Sequence, residues 1–68
     1  MYEKFEALLK ERDMKVYELV KELAKDPETR IGQSTFSDWK SGRSKPKADK
    51  LKILAEYFGV TIEYFLED

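Results

Sequence analysis

Residues 31–46, reading IGQSTFSDWKSGRSKP, hold the side chains of this chain best suited to recognition chemistry. Phe36 and Trp39 are three residues apart and share one face of a helix. Gln33, Ser34, Ser37 and Asp38 point away from that face. Their hydrogen-bonding groups are short, so a helix that bears them can sit deep in a DNA major groove. There a glutamine pairs bidentately with adenine, a serine bonds either way, and an aspartate accepts from a cytosine amino group. Gly42 suits the left-handed position just past a helix end. Arg43, Lys45 and Lys47 follow it and offer phosphate contacts, which position a protein without reading sequence.

The rest of the chain must hold that helix in place. With 68 residues the expectation is one domain spanning 1–68, stabilised by packing alone, because there is no cysteine for a disulfide. The lack of both cysteine and histidine removes the usual zinc constellations, and no cofactor is expected. No apolar run approaches the roughly 20 residues that span a bilayer, and the charged, amphipathic start does not resemble a secretory signal. The expected setting is cytoplasmic, with no membrane and no small-molecule partner implied.

Formal net charge is −1, which alone argues against nucleic acid, but its distribution argues the other way. Residues 1–29 carry net −2, residues 30–52 carry +5, and residues 53–68 carry −4. A basic middle between acidic ends is an electrostatic footprint; chance clustering on a solvated face is the plain alternative.

Hydrophobic spacing predicts five helices and no strand. The first spans 2–12, with Phe5, Leu8, Leu9 and Arg12 at helical spacing, and the second spans 16–25, with Val16, Leu19, Val20 and Leu23 inward. Asp26-Pro27 ends the second helix and is also compatible with a short extra turn begun by Asp26. The third spans 33–41 and the fourth 47–58, where Leu51, Leu54, Ala55 and Phe58 form a stripe. Gly59 ends the fourth, and Thr61 caps a fifth over 62–66. Phe36, Trp39, Leu19, Leu51, Leu54 and Phe58 are expected in one core. Tyr2, Tyr17, Tyr57 and Tyr64 are suited to its edges.

Several features, in order, resemble the helix-turn-helix domains of the lambda-repressor/Cro superfamily, also called the xenobiotic-response-element family. They are Glu18-Leu19, the run from Gln33 to Trp39, Ser41-Gly42, Lys45-Pro46, and the ending Leu54-Ala55, Phe58-Gly59-Val60-Thr61 and Tyr64-Phe65-Leu66. The likeness covers nearly the whole chain and implies a five-helix lambda-repressor-like DNA-binding domain, with the helix-turn-helix at about 16–41. Carried over position by position, Gln33, Ser34, Ser37 and Asp38 face bases, while Lys15, Tyr17, Thr35, Lys40, Arg43, Lys45 and Lys47 face phosphates.

The chain departs from the family pattern in two places. Residues 23–30 hold about six more than the usual turn, so helix two is longer than usual or an extra loop is present. Lys15 and Lys47 stand where the family often has Ser or Thr, and lysine cannot cap a helix start. A nearby phosphate would offset that penalty.

The function implied is a sequence-specific transcriptional regulator. It would be a phage-like or bacterial repressor that binds double-stranded DNA at a two-fold operator, as a homodimer through Tyr57, Tyr64, Phe65 and Leu66. The alternative is a helical protein-interaction module of the same fold, antitoxin-like or antirepressor-binding. The acidic, aromatic C-terminal end keeps that reading open. An enzyme is not expected: catalytic histidine and cysteine are missing, and no glycine-rich phosphate loop is present.

Overall fold

The helical periodicities become five helices in the computed structural model, which describes residues 1–67. They are α1 (Tyr2–Glu11), α2 (Val16–Leu23), α3 (Gln33–Ser41), α4 (Ala48–Phe58) and α5 (Ile62–Leu66). No strand occurs among the described residues, as the all-α expectation required. α2 packs on α3, and α5 closes against both α1 and α4.

Each helix buries the stripe its sequence spells out. α1 contributes Phe5, Leu8 and Leu9, α2 contributes Leu19 and Leu23, and α4 contributes Leu51, Leu54, Ala55 and Phe58. Phe36 and Trp39 come from α3 and Phe65 from α5, and all belong to one core cluster. Each large apolar side chain so buried is worth about 1.5–3 kcal/mol of transfer free energy.

Aromatic contacts fix α3 from behind. Phe5 stacks on Phe36 with ring centroids 5.2 Å apart and planes only 11° from parallel. Phe58 meets Phe5 edge-on at 6.1 Å. One ring from each of α1, α3 and α4 thus fixes how far α3 stands out from the body.

Local chemistry sets the ends. Gly42 and Gly59 follow α3 and α4 in the left-handed conformation, at φ 80° and 70°, which costs a side-chain-bearing residue about 1–2 kcal/mol. Thr61 caps α5 by accepting the Tyr64 N–H at 3.2 Å.

Some ends differ from the periodic expectation. α1 stops one residue early, so Arg12 becomes its C-cap rather than a buried-face residue. The Arg12 guanidinium lies over the rings of Tyr57 and Phe58, 5.4 and 5.1 Å from their centroids. Its stem thereby covers apolar surface while the charge stays wet. α4 starts at Ala48, with Lys47 outside the helix as N-cap.

Of the two readings for the extra residues, the loop is the correct one: α2 ends at Leu23 and a connection of residues 24–32 leads to α3. That loop is ordered by its own hydrogen bonds. The Asp26 carboxylate accepts the Glu28 N–H at 2.9 Å, and its carbonyl accepts the Thr29 N–H at 3.0 Å. The Thr29 hydroxyl donates to the Leu23 carbonyl at 2.6 Å. Asp26 therefore begins a short extra turn, as its place before Pro27 allowed. Ile31, 2% exposed, then plugs the loop into the core.

Candidate nucleic-acid interface

α3 carries the site. Its buried side is Phe36 and Trp39, and its free side shows Gln33, Ser34, Ser37, Lys40 and Ser41, all exposed. Thr35 and Asp38 flank the free side, half-buried. Short polar side chains cover one face of a helix whose opposite face is anchored by two aromatic rings. That combination presents hydrogen-bonding groups on a rigid base, with Lys40 in the last turn the one long cation on the exposed side. Gly32 is the N-cap, extended and without a side-chain cap.

The segment after α3 is equally shaped by backbone chemistry. The Asp38 carbonyl accepts the Arg43 N–H at 2.9 Å and the Ser44 N–H at 3.4 Å, and the Ser41 hydroxyl donates to it at 3.1 Å. Gly42 allows this reversal by taking the left-handed conformation. The chain turns back over the end of α3, and Arg43, Lys45 and Lys47 are exposed along it, next to exposed Lys40. Arg43 comes close to the free face: its Nη1 lies 3.7 Å from Asp38 Oδ1.

Lys15 and Tyr17 stand apart from this cluster, at the start of α2. Both are exposed, Tyr17 at 58%. The lysine start is better capped than its residue type suggests, because Glu18 accepts the Lys15 N–H at 2.8 Å, half of a capping box. The signal for it was an acid three residues after the cap position. No side chain caps Lys47. Sequence reasoning also missed the Asp38–Arg43 pair, which depends on the fold-back at Gly42.

The expected dimer residues do not form one patch. Phe65 is 1% exposed and closes the core, so it is corrected from a partner contact to a core residue. Tyr57 is half-buried beneath Arg12, with its hydroxyl 3.9 Å from the Met14 sulfur. Tyr64 lies under the Lys4 ammonium, 5.2 Å from its ring centroid. Lys4 and Arg12 are eight residues apart on or just past α1, about 12 Å along the axis at the helical rise. Leu66 is 65% exposed, at the rim of a groove it lines with Met1 and Tyr2.

An exposed polar helix held by a second helix, followed by a basic turn, defines a DNA-binding domain of the helix-turn-helix class. A family model described as a helix-turn-helix domain matches residues 2–67, and the chain belongs to that family, within the lambda-repressor/Cro-like class. No curated protein and no solved structure matched the chain. No described helix is long and apolar enough to cross a membrane.

Proposed function

We propose that this protein is a sequence-specific transcriptional repressor acting in the cytoplasm, reading duplex DNA with α3. The observation that carries the reading is the free face of α3 continuing into the exposed cations of the following turn. Gln33, Ser34 and Ser37 meet base edges. Lys40, Lys45 and Lys47 meet the backbone, with Lys15, Tyr17 and Thr35 as outer phosphate contacts. One short helix reads only a few base pairs, too few to mark a genomic site. Two copies across a two-fold axis double the readout, with half-sites about 10 base pairs apart, centre to centre.

Salt dependence of duplex binding is the test. Four lysines per subunit, Lys15, Lys40, Lys45 and Lys47, neutralise about eight phosphates in a dimer, so log K against log salt falls with a slope of about −7. Lys45→Ala weakens binding about equally on all sequences and flattens the slope by about one unit for each altered contact. A complex insensitive to salt would instead favour a protein partner for the same fold.

A further inference from the structure

An acid on the proposed reading helix calls for an explanation, because a carboxylate facing DNA is repelled by phosphates. Asp38 has its counter-charge close by. Its Oδ1 is 3.7 Å from Arg43 Nη1, with the side chains 40% and 79% exposed. An exposed ion pair in water holds little by itself. Here the backbone keeps the two residues together, because the Arg43 N–H donates to the Asp38 carbonyl at 2.9 Å across the left-handed Gly42. The two side chains leave the same turn of chain whatever their rotamers, and the pair is electrically neutral where it meets the polyanion.

We infer that Asp38 is a positioning residue that delivers Arg43 to a guanine edge. This deepens the proposed function and rests on it. A guanidinium presents five N–H donors in a fixed fork. The Asp38 carboxylate lies 3.7 Å from Nη1 and holds the guanidinium by charge, which leaves a pair of donors with the spacing of guanine O6 and N7 in the major groove. Arg43 therefore leaves the set of phosphate-binding cations and becomes a base reader, and Asp38 acts through it rather than on a cytosine amino group. On a duplex lacking the guanine, the Arg43 donors turned to the groove have no base partner and lose their water, so the pair penalises wrong sites as well as rewarding the right one.

The experiment is selection of preferred sites from random duplexes by the whole chain and by Arg43→Lys, Asp38→Asn and the double variant. Circular dichroism checks that each is folded; both side chains lie outside the core. The parent is expected to enrich guanine at one position per half-site. Arg43→Lys keeps the charge and the salt slope but loses the fork, and lowers that guanine preference about tenfold or more. Asp38→Asn broadens the same position, and adds nothing further in the Arg43→Lys background. Parental preferences retained by Arg43→Lys would overturn the inference, leaving Arg43 a backbone contact and the repressor reading intact. Loss of a cytosine preference at a different position in Asp38→Asn would also overturn it, in favour of direct reading by Asp38. A parent that binds duplex without selecting any sequence, or does not bind duplex, overturns the inference together with the proposed function.

Discussion

Trp39 stands edge-on to Phe36, with ring centroids 5.1 Å apart and planes at 79°. Both rings come from α3, so the helix that carries the candidate site is held by its own two largest side chains. Trp39 is 7% exposed. Trp39→Ala should cost roughly 3–5 kcal/mol, most of the stability of so small a domain. Thermal unfolding followed by circular dichroism measures this. An unshifted midpoint would mean that the aromatic cluster is not what holds α3.

The Thr29 hydroxyl donates to the carbonyl of Leu23, six residues earlier, at 2.6 Å, and that carbonyl is the last of α2. The Asp26 N–H reaches the same oxygen only at 3.4 Å. Thr29→Val keeps the shape and removes the donor, so it should cost about 1 kcal/mol and loosen the loop ahead of Ile31. Faster amide exchange across residues 24–30, with α1 unchanged, is the expected signature. Unchanged exchange there would assign the ordering of the loop to the Asp26 turn and Ile31.

Much of this fold was legible because its signals are local. The limits of α3 and α5 follow from Gly42 and Thr61, whose chemistry acts within three or four residues, and the core stripes follow from helical spacing. α2 was expected to reach residue 25 and stops at Leu23: Pro27, four residues on, has no N–H to give the Leu23 carbonyl, and the hydroxyl that takes its place comes from Thr29, beyond any helical period. Ile31 is a single apolar residue in a loop, with no spacing to mark it as core. Phe65 and Leu66 are adjacent and both apolar; only the packing of α5 on α1 and α4 decides that Phe65 goes in and Leu66 stays out. The polar face of α3 was readable from composition and phase. The Asp38–Arg43 relationship was not, because it needs the chain to fold back at Gly42.

Leu66 is 65% exposed beside Phe65 at 1%, and this contrast separates assembly from folding. Leu66→Glu should leave the stability within about 0.5 kcal/mol of the parent and weaken self-association in sedimentation equilibrium. If the parent stays monomeric at high concentration and binds DNA only as a monomer, the two-fold part of the proposed function is wrong.

The central claim is that α3 reads bases, and Gln33 tests it most directly. It is exposed at the first residue of α3, and its amide matches the adenine edge. Site selection and equilibrium binding by Gln33→Ala, set beside the parent, is the measurement. The expected result is a loss of about 1–3 kcal/mol on the preferred site and relaxed selectivity at one base position per half-site. Affinity for unrelated duplex should hardly change, since the backbone contacts remain. A Gln33→Ala variant with the same base preferences and the same affinity as the parent would contradict the claim.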